Sequence, residues 1–106
     1  MFVAYEVALE SVRLIRPLID RIAARNAALA GQLRRAASGM PLSLAEGRRR
    51  RGGDRTYHYR VGAGSAAEAL AALDVADAWG YTAPAEAAAA RAALDRLLGL
   101  LWQLTK

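Results

Sequence analysis

Apolar residues recur at intervals of three and four positions in four separate segments of this chain of 106 residues. Such spacing places the apolar side chains of a segment on one face of an α-helix. Composition agrees, because Ala occurs 26 times and Leu 15 times, whereas the β-branched residues that favour strands together occur 11 times. The predicted apolar faces consist of Tyr5, Ala8, Val12, Ile15, Ile19 and Ile22; Leu29, Leu33, Ala36, Met40 and Leu44; Tyr59, Ala63, Ala66, Leu70 and Leu73; and Leu94, Leu97, Leu98, Leu101 and Leu104.

Residues that favour helix ends separate the four segments. Asn26 is the predicted N-cap of the second helix, because its side-chain oxygen can accept a hydrogen bond from the first turn. Gly52-Gly53 is the clearest interruption, and Asp54 is the predicted N-cap of the third helix. Gly80 is typical of the position just after a helix, and Thr82 is the predicted N-cap of the fourth.

Three prolines lie within these segments. Pro17 predicts a kink or a break in the first helix and Pro41 a bend in the second, because proline removes a backbone donor. Pro84 falls in the first turn of the fourth helix, where proline is tolerated. The connections are short, so successive helices run antiparallel. The expected fold is all-α, an up-down antiparallel four-helix bundle that forms a single domain over residues 1–106.

The apolar faces are rich in Ala, which lets helices approach closely but buries little area at each contact. At about 25 cal/mol per Å² of buried apolar surface, such a core is thin for one subunit. We therefore expect the bundle to assemble into a homo-oligomer. Phe2, Trp79, Tyr81 and Trp102 are candidates for subunit contacts, and ordinary packing in the core or at its rim is the alternative for each.

Positive charge is concentrated in residues 34–60, which carry +6, whereas the whole chain carries +5. Fourteen of the 15 basic residues are Arg, whose planar guanidinium suits bidentate contact with phosphate. The candidate phosphate ligands are Arg34, Arg35, Arg48, Arg49, Arg50, Arg51, Arg55 and Arg60, with Glu46 and Asp54 as the acidic residues between them. The run from Arg48 to Arg51 points around a full helical turn, so its members cannot all pair with acids on one neighbouring helix, and we expect no acidic neighbours that could neutralise the cluster. Glu46 lies one turn before Arg50, a spacing that favours a structural hydrogen-bonding pair over acid–base catalysis.

Aromatic residues follow the glycine interruption, and Tyr57 and His58 are candidates for stacking on nucleic-acid bases. An arginine run beside such rings resembles a phosphate-binding surface. The alternative is a solvated charge run. A membrane-binding amphipathic helix is less favoured, because the run adjoins a glycine interruption and not a long apolar face.

The sequence offers little for catalysis or for a metal. Cys is absent and His58 is the only His, so we expect no metal site, no cofactor and no enzymatic activity. An enzyme that used Glu46 and Glu68 would need both carboxylates within about 5–10 Å of each other in an open pocket. The segment from Gly62 to Ser65 lacks the Gly-Lys-Ser/Thr ending of a phosphate-binding loop, so its glycines are expected to allow close helix packing.

No segment suggests a membrane. The longest stretch without a charged residue is Ala36–Ala45, far shorter than the ~20 residues that span a bilayer. The amino-terminal residues lack the basic head and the long apolar run of a signal peptide. We expect a soluble, cytoplasmic protein without a membrane partner.

Two neighbouring motifs carry a resemblance to a known family, Gln32-Leu33-Arg34-Arg35-Ala36-Ala37 and Pro41-Leu42-Ser43-Leu44-Ala45-Glu46-Gly47. They resemble the signature of the four helix bundle proteins named after intervening sequences in large-subunit ribosomal RNA. The match covers residues 32–81 and continues in order at Asp54-Arg55, Tyr59-Arg60, Gly64-Ser65, Glu68 and Gly80-Tyr81. It departs at Gly39, where the family usually has Ser, and at Ser43, where it usually has Asn, so a contact made by those polar side chains would be weakened here.

The resemblance implies a four-helix bundle that assembles into a homopentameric ring with a positively charged surface. Relatives in that family, the accessory variability determinants of diversity-generating retroelements, bind nucleic acid and a reverse transcriptase. The resulting hypothesis is a non-enzymatic, oligomeric accessory protein that binds RNA or an RNA–DNA hybrid through its arginine-rich patch and partners a reverse transcriptase. The alternative is a protein–protein adaptor without direct nucleic-acid binding, whose arginines meet an acidic face of its partner.

Overall fold

The computed structural model describes all 106 residues and consists of four helices joined by short turns. The helices are α1 (Val3–Ala23), α2 (Ala27–Arg48), α3 (Gly52–Trp79) and α4 (Pro84–Thr105). Each helix packs on its neighbours in the sequence, and α4 packs back on α1. Successive helices run in opposite directions, so α2 ends and α3 begins at the same end of a bundle 42 Å long. The prediction of an all-α, up-down four-helix bundle is confirmed.

The four apolar faces form one core of 24 buried residues. The faces predicted for α1, α2 and α3 lie in this core or against it, as do the predicted residues of α4 except Leu104. The prediction for Leu104 is wrong, since its side chain is 47% exposed and lines an open groove with Phe2 and Val3 at the end of the bundle. Eleven of the 24 core residues are Ala, so the helices approach closely and bury little area per contact.

Both internal prolines lie inside continuous helices. A break at Pro17 is wrong, because α1 runs without interruption from Val3 to Ala23. Pro41 is likewise accommodated within α2. Each proline leaves one backbone carbonyl without its usual donor. The apolar face on both sides of each proline is anchored in the core, and this packing keeps the helices continuous.

Two of the predicted helix ends are confirmed. The Asn26 side chain accepts a hydrogen bond from the Leu29 amide at 3.0 Å and caps α2. Gly80 follows α3 with a φ of +79°, in the left-handed region that a side chain would disfavour. The start of α2 and the end of α3 therefore lie at the same end of the bundle, where the Asn26 side-chain amide also donates to the Tyr81 hydroxyl at 3.3 Å.

The other two predicted caps are wrong. Helix α3 begins at Gly52, whose φ of +55° requires glycine, so Asp54 lies inside the first turn rather than before it. Helix α4 begins at Pro84, and the Ala83 amide that precedes it donates to the Glu86 carboxylate at 2.8 Å. Thr82 is buried instead, and its hydroxyl donates to Asp77 Oδ1 at 3.2 Å. None of the four helices has a stretch long and apolar enough to cross a lipid bilayer.

Candidate nucleic-acid interface

Six arginines gather where α2 ends and α3 begins. We call this surface the arginine junction; it consists of Arg48, Arg49, Arg50, Arg51, Arg55 and Arg60. The last residue of α2 and the turn after it supply the first four, and the first turns of α3 supply the other two. The start of α1 and the end of α4 lie at the same end of the bundle, since Phe2 contacts Tyr59 and the Arg60 guanidinium reaches the Thr105 carbonyl.

Arg50 forms ion pairs within the molecule. The predicted hydrogen-bonding pair of Glu46 and Arg50 is confirmed, whereas the expectation that the run has no acidic neighbours is wrong for Arg50. Its guanidinium donates to the Glu46 carboxylate from both Nε and Nη2, and to Asp54 Oδ2 at 3.2 Å. Asp54 in turn lies 3.7 Å from His58 Nε2. These four side chains follow one another at intervals of four residues, so they form a ladder of alternating acidic and basic residues that crosses from α2 to α3.

The contacts within the ladder shift the pKa values of Glu46 and Arg50. The hydrogen bond and the positive charge of Arg50 hold the pKa of Glu46 below its ordinary value, because both favour the carboxylate. The same bond and the negative charge of Glu46 raise the pKa of Arg50. Glu46 and Asp54 are the acidic residues of this segment, and both are engaged by Arg50, so the other arginines face no carboxylate.

Three of those other arginines contact neutral groups. Arg55 donates to the Gly47 carbonyl at 3.3 Å and to the Arg48 carbonyl at 2.9 Å, which satisfies backbone acceptors at the end of α2. Arg60 donates to the Thr105 carbonyl at 3.1 Å at the end of α4. The Arg48 guanidinium lies over the Phe2 ring, 5.3 Å from its centroid. Carbonyls and rings orient these side chains but do not cancel their charge.

Arg49 and Arg51 are exposed in the turn between α2 and α3, and neither forms an ion pair or a side-chain hydrogen bond. With Arg48, Arg55 and Arg60 they bring five positive charges without carboxylate partners to one end of the bundle. Guanidinium has five N–H donors, so the arginines that bond to carbonyls keep donors for a ligand. This arrangement can hold the phosphates of a polyanion.

The aromatic residues after the turn differ in exposure. Tyr59 is buried against Phe2 and the backbone of Gly47, so its ring belongs to the core. His58 is half-buried, and its imidazole faces Asp54. Tyr57 is 61% exposed. Of the two rings predicted to stack on bases, Tyr57 is thus the accessible one.

Arg34 and Arg35 lie apart from the junction. They precede Arg48 and Arg49 by fourteen residues of the same helix, and a rise of 1.5 Å per residue places them about 21 Å away. Arg34 lines a groove between α1 and α2 together with Arg16. Arg35 is exposed beside Gly31 on another side of α2. The structure therefore divides the predicted arginine patch into a junction and two outlying residues.

Glu46 and Glu68 do not line a common pocket. The Glu46 carboxylate is engaged by Arg50, and Glu68 is exposed on α3. The open grooves on the surface are lined by other residues. Gly62 is buried against Leu44, as close packing predicts, whereas Gly64 faces open space, so that interpretation of Gly64 is wrong.

Sequence reasoning missed one partner of the junction, the Phe2 ring beneath Arg48. No local spacing could have indicated it, because the contact joins the first and second helices of the bundle. The ladder through Arg50 and Asp54 did leave a signal, since its members recur at every fourth position.

Comparison with solved structures supports the fold, whereas comparison with known sequences finds no relative. No family model and no curated protein matches the sequence. Among solved structures, the chain is similar to a protein of unknown function from the S23 ribosomal protein family of Bacteroides thetaiotaomicron, with a TM-score of 0.86 and 15% sequence identity over 97% of this chain and 98% of that chain. At this identity the likeness concerns the fold alone, so this chain shares its four-helix architecture with a member of that family.

Proposed function

We propose that this protein is a non-enzymatic nucleic-acid-binding bundle whose arginine junction contacts the phosphates of RNA or of an RNA–DNA hybrid. The observation that carries the proposal is the group of guanidiniums without carboxylate partners at one end of the molecule. Glu46 and Asp54 could have neutralised two of them, and both instead engage Arg50. The remaining charges are therefore available to a partner that brings its own negative charge.

Arginine chemistry favours phosphate as that negative charge. A guanidinium presents two parallel N–H groups to two oxygens of one phosphate. Arg49 and Arg51 are free to do so in the turn, and Arg55 and Arg60 are already oriented by backbone carbonyls. A backbone of regularly spaced phosphates can engage several of them at once, and the counterions it releases favour binding.

Arg34 and Arg35 extend the proposed surface. Arg34 and Arg48 lie fourteen residues apart in α2, which is about 21 Å along the helix. A strand of several nucleotides can reach both, whereas a single phosphate group cannot. We therefore assign Arg34 and Arg35 to the outer part of a polymer-binding surface and the junction to its centre.

Assembly and a protein partner complete the proposal. The resemblance described above implies a homopentameric ring and a reverse transcriptase as partner, and a ring would repeat the junction in every subunit and raise the local potential. A second candidate function, a protein–protein adaptor without nucleic-acid binding, is favoured by large apolar side chains on the surface, Leu42 at 69% and Trp102 at 66% exposure. Partner capture that survives nuclease treatment, without binding to purified nucleic acid, would favour the adaptor.

The test is the salt dependence of binding to RNA and to an RNA–DNA hybrid. We expect the affinity of the protein to fall steeply as salt rises. The double variant Arg49→Gln/Arg51→Gln should bind more weakly. The plot of its log affinity against log salt should also be shallower, with the magnitude of the slope smaller by about 1.5, because each lost phosphate contact removes roughly 0.7–0.9. Arg50 is left intact in this variant, so the ladder with Glu46 and Asp54 is preserved.

The matched control is Arg13→Gln/Arg96→Gln, which removes the same charge from exposed positions on α1 and α4. It should lower affinity only slightly. Unchanged binding in the junction variant, with the helical content of the wild type, would overturn the proposal. Equal weakening in both variants would show that net charge, and not the junction, determines binding.

A further inference from the structure

Tyr57 presents an aromatic ring to solvent at the end of the bundle that carries the arginine junction. The residue is 61% exposed, whereas Tyr59, two positions further, is 5% exposed. Its ring therefore contributes little to the core. Large exposed aromatic rings beside cationic side chains are the surfaces on which unpaired bases stack.

Two glycines leave open space on the side of α3 that carries Tyr57. Gly53 lies one turn before it and Gly64 about two turns after it on the same side of α3. A side chain added at either position would meet no atom within 4 Å. Between Tyr57 and Gly64 on this side lie Val61, which is 40% exposed, and Arg60, whose guanidinium bonds to the Thr105 carbonyl. The turns at the two glycines therefore leave room for a flat group to approach the tyrosine ring.

Contacts on one side hold the ring in place. The Tyr57 and His58 rings meet edge to face, with centroids 5.3 Å apart and an angle of 74° between their planes. His58 faces Asp54, which belongs to the charge ladder that begins at Glu46. The ring is thus positioned before any ligand arrives, which lowers the entropy lost on stacking.

Guanidiniums lie at the same end of the bundle as this platform. Arg60 follows Tyr57 by one helical turn on the same side of α3. Arg51 lies in the turn before the helix, and Arg55 projects from another side of α3 towards the end of α2. A strand whose phosphates follow these arginines would carry its bases past the tyrosine. In a duplex the bases are stacked on one another and paired, so their faces cannot reach a side chain on a helix surface. A single strand offers both its phosphates and its base faces.

We propose that Tyr57 stacks on an unpaired base, and that of the two ligands proposed above the arginine junction therefore prefers single-stranded RNA to the RNA–DNA hybrid, whose bases are paired. This inference rests on the function proposed above, because the arginines must first hold the strand. Tyr57 supplies the specificity for an unpaired base, while the arginines supply the attraction to the backbone.

The experiment compares a single-stranded oligoribonucleotide of about 12 nucleotides, a length that spans one stacking surface, with the same sequence in an RNA–DNA hybrid duplex. Binding is followed by fluorescence anisotropy for the wild type and for Tyr57→Ala, Tyr57→Phe and Val75→Ala. Val75 is the control, because it is 42% exposed and lies on the same helix towards the other end of the bundle. Circular dichroism checks that each variant is folded.

We expect the wild type to bind the single strand at least about tenfold more tightly than the duplex. Tyr57→Ala should weaken single-strand binding by roughly 5- to 100-fold, the loss that removal of one stacking ring causes. The same change should leave duplex binding unaltered. Tyr57→Phe keeps the ring and should bind as the wild type does, and so should Val75→Ala.

Equal affinity of the wild type for both ligands, or full single-strand affinity in Tyr57→Ala, would overturn this inference. The salt dependence and the weakening in Arg49→Gln/Arg51→Gln would then remain as support for the proposed function. Absence of salt-dependent binding to either ligand would overturn both proposals.

Discussion

At the scale of single residues, the four consecutive arginines from Arg48 to Arg51 lie in different environments. Arg50 pairs with two carboxylates, and Arg48 lies over an aromatic ring. Arg49 and Arg51 are exposed without a partner. The difference follows from spacing, because only Arg50 has an acid four residues away on each side, which is one turn of helix. Within this run Arg50 has a structural role, whereas Arg49 and Arg51 remain available to a ligand.

Arg50 lowers the pKa of Glu46, so replacing Arg50 should raise that pKa. In the folded protein the pKa of Glu46 lies below its ordinary value of 4.5, chiefly because of the hydrogen bond from Arg50. The stability that this interaction contributes is therefore present above about pH 4.5 and is lost as the pH falls through the lowered pKa. In Arg50→Gln we expect the pKa of Glu46 to rise towards its ordinary value.

The measurement is an NMR titration of the Glu46 side-chain carbon in the wild type and in Arg50→Gln. Arg49→Gln is the matched control, because the Arg49 charge makes only a minor contribution at Glu46. The same Glu46 pKa in Arg50→Gln and in the wild type would contradict the ladder.

At the scale of helices, the close approach of α2 and α3 positions the junction. Gly47 packs against the Tyr59 ring and Gly62 against Leu44, so neither position has room for a larger residue. Gly39 lies opposite Ser65, at a position where the family resembled by this sequence usually has Ser. A Cβ at Gly39 would come within 2.9 Å of the Ser65 hydroxyl oxygen, which can rotate aside. The absence of a side chain at Gly39 thus leaves space for Ser65.

Gly47→Ala should destabilise the protein, although Ala favours helices. The new Cβ would lie 2.7 Å from two atoms of the buried Tyr59 ring, and forcing a group into a packed core costs about 1–3 kcal/mol. Gly99→Ala is the control, because Gly99 lies inside α4 with no atom within 4 Å of the added carbon. It should stabilise the protein by about 0.5–1 kcal/mol. Urea unfolding of both variants measures the two effects, and equal stability of Gly47→Ala and the wild type would contradict the packing described.

Helices could be predicted from the sequence because their signals are local. The spacing of Leu29 to Leu44 and the cap at Asn26 depend on residues within a few turns. The ladder at Arg50 could also have been predicted in full, since its interval continues through the turn. The contact of Arg48 with Phe2 and that of Arg60 with Thr105 could not, because they depend on how distant helices meet at one end of the bundle.

At the scale of the whole molecule, the two ends of the bundle differ in how their charges are used. Away from the junction, Arg91 joins Asp74 and Asp77 across α3 and α4, and the hydrogen bond to Asp74 raises the pKa of Arg91. Arg21 pairs with Glu86 at 2.8 Å across α1 and α4. Arg21 and Arg91 thus form ion pairs with carboxylates, whereas most arginines of the junction form none. Positive charge without carboxylate partners is therefore concentrated at one end of a bundle 42 Å long.

The state of assembly is the remaining property that this architecture predicts. Alanine supplies nearly half of the core, and the large apolar residues Leu42, Trp79 and Trp102 are each more than 60% exposed. Burial of such side chains between subunits would add the apolar contact that a small core lacks. We expect a molar mass in solution that is a multiple of 11.3 kDa, five-fold for the proposed ring, measured by size-exclusion chromatography with light scattering. Apolar contacts are not screened by salt, so the mass should persist at salt concentrations that release nucleic acid. A mass of 11.3 kDa at all concentrations would contradict assembly and confine nucleic-acid binding to a single junction.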